Sequence, residues 1–442
     1  MFVKRFCQTF LSNSALGWLV VIAAFRPFKH RNFTLLWSAN LVSNIGTWME
    51  TIAVGAILAR DTKKAAALGL AAAASFVPMA LLAPVGGLIS DRVHRKKFLL
   101  GTLAFDLFLA VVLAALIATG HRSPALLSAV LFLEGCSAAL SLPNRQAIMP
   151  DLVPKEDLLA AVALGSASWN GGRIVGPLLA GLLISATSPA WAVSANAASF
   201  AFMLIAAFFI QLPQPKRSEM ADSVKSRIAE GLNAVRSVPD NRLALILIAI
   251  LATTAGPFIG LIPIVAQNVF GGGAKTISLF VTAQGAGAVI GVLTAASIAE
   301  RIGRKPAIAG AFAIVSAALV IYGRAPTTAI AAGALVVIGA CYFTVLTGCQ
   351  GLLQRNTPSE KRARVLAIFS VALGGPYAAA VTIAGFSADR IGLRFITTLQ
   401  GVLTLVAISA LSVLRRDWWV DAPIPETGLS HLPEPSGSIK PG

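Results

Sequence analysis

Charge is scarce in this sequence. Only 12% of its 442 residues are Asp, Glu, Lys or Arg, against about 25% in an ordinary soluble protein. That shortage excludes a soluble globular enzyme and a disordered chain. Cysteine is limited to Cys7, Cys136, Cys341 and Cys349, with no CxxC pair, so neither a disulfide framework nor a metal site is expected. Histidine is confined to loops and termini, at His30, His94, His121 and His431. No HExxH, P-loop or GxSxG motif stands where it could work, so no enzyme activity is expected. The short alternating segments of a transmembrane β-barrel are missing too.

What is present is apolar sequence, 56% of the chain. It falls into twelve runs, near 34–59, 68–90, 98–119, 124–146, 159–186, 190–211, 242–268, 276–299, 306–323, 326–353, 364–388 and 392–414. Each is long enough to cross ~30 Å of hydrocarbon as a helix. Lipid offers no partner to backbone polar groups, so helices are required there. The expected fold class is an all-α membrane protein of twelve transmembrane helices.

The net charge of +17 sits mostly in short loops between runs, which argues for membrane orientation and against nucleic-acid binding. With the N-terminus inside, 27 Lys and Arg fall on the cytoplasmic side and 8 opposite. Both termini are therefore expected in the cytoplasm. Residues 15–25 are apolar but short, follow Lys4 and Arg5, and lack a following cleavage site. They suit an interfacial helix better than a signal peptide. The expected organisation is an arm (1–33), a first bundle (34–211), a linker (212–241), a second bundle (242–414) and a disordered tail (415–442). Within the linker, Val224, Ile228, Leu232 and Val235 recur at helical spacing, which predicts an amphipathic helix on the inner membrane surface.

The halves echo each other. Gly87-Leu-Ile-Ser-Asp91-Arg92-Val-His94-Arg95-Lys96 follows the second run, and Ala296-Ser-Ile-Ala-Glu300-Arg301-Ile-Gly303-Arg304-Lys305 follows the eighth. Two copies in register, in a six-plus-six chain, indicate internal duplication. On these residues the chain resembles the major facilitator superfamily, whose signature G-x-x-x-D-R-x-G-R-R/K it matches except at His94. Pro143-Asn-Arg145-Gln-Ala147, the loop Leu353-Gln-Arg355-Asn-Thr-Pro358, and His30-Arg31-Asn32-Phe33 resemble the branch containing enterobactin exporters and macrolide efflux pumps. The resemblance implies two pseudo-symmetric six-helix bundles, a central cavity, alternating access and ion coupling. It also implies that Gly87, Asp91, Arg92, Arg95 and Lys96 form a conformational latch, Asp91 capping the eleventh helix. Glu300, Arg301 and Arg304 would be the weaker copy.

Four charges lie deep in runs: Glu50, Asp106, Glu134 and Arg173, all in the first half. An ion at mid-bilayer costs ~2.5–3.5 kcal/mol on insertion scales, so each should face protein or water. Depth matching at about 1.5 Å per residue suggests a Glu134–Arg173 pair. The alternatives are a permanent structural pair and one dissolved by protonation. Glu50 shares a helix face with Asn40, Ser43 and Thr47, and Asn44 is nearby. That predicts a cavity lining of Asn40, Asn44, Thr47 and Glu50. A buried carboxyl can hold a proton at neutral pH, or it can be a neutral packing residue. Asp106 is expected to bond a neighbouring helix. Gly172, Gly176, Pro177 and Gly181 resemble a span-five antiporter motif, which favours export; plain helix packing would use the same residues.

These readings converge on an exporter of a small amphipathic molecule, a drug or siderophore, in exchange for protons. The acid-rich first half favours cationic or zwitterionic cargo. No cofactor is expected beyond the proton gradient as energy source. The expected partners are the small-molecule substrate, protons and the lipid bilayer, around a monomer in a bacterial inner membrane. A lysophospholipid flippase and a non-transporting sensor are the alternatives.

Overall fold

The computed structural model describes residues 25–148, 152–212 and 224–415. Residues 15–24, the start of the linker, Met149–Asp151 and the tail from Arg416 lie outside the described residues, with the expectations attached to them. Within helices, so do the side chains of Gly87, Asp91 and Arg92.

The first half is six helices: α1 (Arg31–Thr62), α2 (Ala65–Arg92), α3 (Arg95–Ala118), α4 (Pro124–Ile148), α5 (Leu158–Ala186) and α6 (Pro189–Phe209). A linker helix, α7 (Val224–Arg236), leads to the second half. There α8 (Pro239–Ile250) and α9 (Phe258–Asn268) are followed by α10 (Ala274–Ile302), α11 (Arg304–Arg324), α12 (Thr328–Arg355), α13 (Ser359–Ile391) and α14 (Leu393–Leu414). Counting Pro239–Asn268 as one span, eleven described helices are long and apolar enough to cross a membrane. The fifth apolar run forms the 29-residue α5.

The seventh apolar run departs from a simple helix. Pro257 has no N–H, so the carbonyl four residues earlier loses its partner. The chain widens into a π turn over Leu251–Ala255, with Gly256 N–H donating to the Leu251 carbonyl at 2.7 Å. Thr404 of α14 reaches this turn, donating to Thr254 Oγ1 at 2.9 Å.

The two halves pack alike. α2 lies on α4 as α10 lies on α12, and α3 lies on α6 as α11 lies on α14. Between halves, α2 meets α13 and α5 meets α10. Small residues permit the close approaches. A methyl group at Gly287 or Gly291 of α10 would collide with the carbonyls of Val336 and Ala340 in α12. Large apolar side chains face outward, among them Phe208, Leu293 and Leu182, a surface suited to hydrocarbon.

The duplicated loops differ in one turn. Gly303 has φ 89°, a left-handed conformation that suits glycine. His94, at the matching position, is extended with φ −66° and ψ 110°. The histidine is thus accommodated by a different turn. The linker helix also differs from expectation. It docks on the end of α13, with Val235 buried in the same core as Val365 and Phe369 and Glu230 paired with Arg364. Val235 thus finds protein rather than the membrane surface; the side chains of Val224 and Ile228 lie outside the described residues.

Gly291→Val should overpack the α10–α12 contact and cost about 1–3 kcal/mol. A lower unfolding midpoint in detergent, relative to a Val substitution at the open Gly310, is the expected result; equal midpoints would refute the close-packing argument.

Candidate functional site: charges within and between the halves

Glu50, Glu134 and Asp106 converge inside the first half. Glu50 is buried and accepts from Asn196 Nδ2 of α6 at 2.8 Å. The Glu134 side chain of α4 meets the Glu50 carboxyl, and Asp106 of α3 lies near enough for its charge to act on both. A hydrogen bond between two carboxyls needs a proton on one of them. Asp106 pairs with Arg145 of α4 at 3.2 Å, the inter-helix bond expected of it. Arg145 belongs to the Pro143–Ala147 motif, so that motif ties the end of α4 to mid-α3. Beside it Asn144 Nδ2 donates to the Arg95 carbonyl at 3.1 Å.

Arg173 goes elsewhere. Its Nη2 donates to Gln284 Oε1 of α10 at 2.7 Å. Its guanidinium lies 5.0 Å from the Trp48 ring centre and 4.4 Å from that of Phe343 in α12. The expected Glu134–Arg173 pair is therefore replaced. Depth matching was a sound constraint on height, but it leaves the angle around each helix free. Glu134 faces α1; Arg173 faces the other half.

The expected cavity face of α1 is also redistributed. Asn40 and Asn44 both donate to Ser168 Oγ of α5, at 3.3 and 3.1 Å. Thr47 Oγ1 bonds the Ser43 carbonyl of its own helix at 3.0 Å. Glu50 points into the bundle. Trp48, on another side of α1, lies against Arg173, whose Nη2 reaches the second half, and Gly55 of α1 meets Pro263 of α9 directly.

The span-five motif builds this contact. A Cβ at Gly172 would lie 2.8 Å from Asn44 Cβ, and one at Gly176 would lie 2.6 Å from Trp48 Cβ. These glycines let α5 press on α1. Pro177 withdraws the N–H that would bond the Arg173 carbonyl. Across the interface Ser278 Oγ of α10 donates to the Pro177 carbonyl at 2.5 Å. Gly181 faces the same serine. The motif is thus packed on both halves.

Of the expected latch residues, Lys96 bonds the Phe208 and Ile210 carbonyls at 2.7 and 2.6 Å. It caps the end of α6 within its own half. Lys305 does comparable work in the second half, pairing with Asp240 at 3.0 Å. Glu300 and Arg301 are exposed and have no ion-pair partner among the described residues.

An inter-half cap does exist, on the opposite side of the membrane domain. Asp389, near the end of α13, accepts from the Ala65 and Ala66 N–H groups that open α2, at 2.6 and 3.0 Å. Nearby, Asn268 Nδ2 donates to the Lys63 carbonyl at 3.0 Å. A Cβ at Gly385 would lie 2.7 Å from the Ala65 carbonyl oxygen, whereas one at Gly374, farther along the same pair of helices, meets nothing nearer than 3.6 Å. Among the described residues, α2 and α13 approach more closely at Gly385 than at Gly374. The sequence carried the signal: Gly385-Phe-Ser-Ala-Asp389-Arg390-Ile-Gly392-Leu-Arg394 repeats the signature spacing a third time, and Gly392 has φ 96°.

The profile of the transmembrane secretion effectors matches residues 22–435. The chain belongs to that family. Macrolide efflux protein A of Streptococcus pyogenes is 24% identical over 398 residues, covering 85% of this chain and 95% of the relative. The enterobactin exporter EntS of Escherichia coli is 26% identical over 418 residues, covering 90% and 97%. Both are efflux transporters by name. A crystal structure of the nucleoside transporter NupG aligns with TM-score 0.68 at 12% identity, over 87% of this chain and 99% of that one. A bacterial homologue of the lysosomal transporter Spinster gives 0.69 at 13% identity, over 90% of this chain. The family match places the chain in the major facilitator superfamily, as the signature motif implied, and these likenesses show a shared transporter fold.

A carboxylate at a helix N-terminus contributes ~0.3–1 kcal/mol, so Asp389→Ala should shift the two-state balance by roughly two- to fivefold towards opening at that face. Faster thiol labelling of a cysteine introduced at Lys63 is the expected readout. Unchanged labelling would mean the cap does not help hold the halves together.

Proposed function

We propose that this family member is a proton-coupled exporter of a small amphipathic molecule, working by alternating access in a bacterial inner membrane. The observation that carries the reading is the Glu50–Glu134 carboxyl contact, two residues along α1 from Trp48, on which the inter-half Arg173 rests. A proton entering or leaving that carboxyl pair changes the repulsion between α1 and α4. The same helix α1 bears on the interface, so a proton can bias which face is open. Coupling requires only that the two states bind proton and substrate differently.

The cation-rich loops are assigned to the cytoplasm. The face capped by Asp389 is then extracytoplasmic, the side that an inward-facing state would keep closed. Asp91 and Arg92 would act at the opposite face when the transporter turns outward. The energy source is the proton gradient, and the working unit is one chain.

One feature favours a second reading, lysophospholipid flipping. An apolar groove of about 660 Å³ runs between α2 and α4, lined by Leu70, Val77 and Phe132 among others, and an acyl chain would fit its chemistry. It lies apart from the carboxyl cluster and from Arg173, so it ranks below efflux.

In liposomes with an imposed proton gradient, Glu50→Gln should abolish gradient-driven export. It should leave gradient-free substrate exchange within about threefold of wild type, because only the proton carrier is lost. Unaltered gradient-driven export in this variant at several pH values would sink the assignment.

A further inference from the structure

Arg173 sits at the middle of α5 and is 5% exposed. Its charge meets no carboxylate among the described residues; its one hydrogen-bond partner is the neutral Gln284. Three buried polar atoms in this contact have no partner: Arg173 Nε, Gln284 Nε2 and Trp48 Nε1. All three are donors. A cluster of unmet donors around an uncompensated cation lacks one kind of group, an anionic acceptor. Two aromatic faces, Trp48 and Phe343, flank the guanidinium. Trp169, half exposed and one helical turn before Arg173, packs edge-on against Trp48 at 6.0 Å.

The three deep acids lie inside the first half, where Glu134 Oε1 also lacks a partner. Glu50 has Asn196, and Asp106 has Arg145. Arg173 alone lies between the halves, where cargo must pass. An isolated buried cation is costly to keep, and stability alone would favour a neutral residue there.

We propose that Arg173, Gln284 and Trp48 recognise a carboxylate on an aromatic molecule carried by this protein. The acid takes a forked pair of bonds from the guanidinium, and its ring lies against the indole of Trp48 or the ring of Phe343. Counting acids in the sequence pointed to cationic cargo; the placement of the charges reverses that preference. The inference rests on the transport reading for its purpose, but its test needs no proton gradient.

The experiment uses full-length protein in detergent, with 2-naphthoate as probe and 2-naphthamide, 2-naphthylmethylamine and sodium chloride as controls. Thermal unfolding and tryptophan fluorescence are followed together. The expected result is saturable quenching and a raised midpoint with 2-naphthoate, absent with the amide and the amine. Arg173→Gln should bind at least tenfold more weakly, Arg173→Lys should recover part of the loss, and Gln284→Leu should bind roughly three- to tenfold more weakly. Without ligand, Arg173→Gln should unfold at the same temperature as wild type or higher, whereas a structural pin would lower it. No response to 2-naphthoate in the wild type overturns the proposal. An equal response to chloride also overturns it, leaving a site for inorganic anions only. Binding that persists in Glu50→Gln alongside failed gradient-driven export would separate this inference from the proton-coupling reading.

Discussion

An ion in hydrocarbon must be given a partner, and that requirement organises the middle of this protein. Four deep charges are met in two ways. Three acids are gathered inside the first bundle, where Asn196, Arg145 and one another supply the contacts. The one deep cation is sent to the boundary, where aromatic faces and a neutral amide receive it. The first arrangement lies within one bundle. The second lies at the contact between the two halves and leaves Arg173 Nε, Gln284 Nε2 and Trp48 Nε1 without partners. Charges that share a bundle can set the position of a helix, while a charge at the boundary can sense what enters. Helix α1 joins the two, with Glu50 facing one and Trp48 the other.

The same division explains the glycines of α5. They press α5 against α1 on one side and against Ser278 of α10 on the other. Pro177 takes the N–H away from the Arg173 carbonyl at the point where both contacts meet. A motif that reads as helix packing is indeed packing, but it fixes the cation at the boundary between the two halves.

Internal duplication supplied the frame, and each copy of the signature loop has been spent differently. Lys96 and Lys305 tie helix ends within their own halves. His94 takes a turn that Gly303 does not. The third copy, at Gly385–Arg394, holds the halves together through Asp389 at the cation-poor face. A short acidic motif at a helix end is a reusable part; what it does depends on which helix N-terminus is within reach.

Much was legible in the sequence because the bilayer makes the rules severe. Twelve apolar runs, the break after the sixth and the paired loops pointed to the fold class, since with no barrel-type alternation only helices can satisfy a backbone in lipid. The four deep charges stood out for the same reason. The Asp106 bridge was foreseen in kind, and Glu50 and Glu134 were foreseen as candidates but not as neighbours. What one dimension omits is the angle around each helix. Depth follows from counting residues, but which side chain turns towards which neighbour follows from how the helices cross. Hence Glu134 was assigned to Arg173 when it faces Glu50, and Glu50 was assigned to the cavity when it is buried against Asn196 inside the first bundle. The sequence by itself determined that these charges lie in the membrane and must be satisfied; only the tertiary structure decided with whom, because azimuth is set by packing and not by spacing.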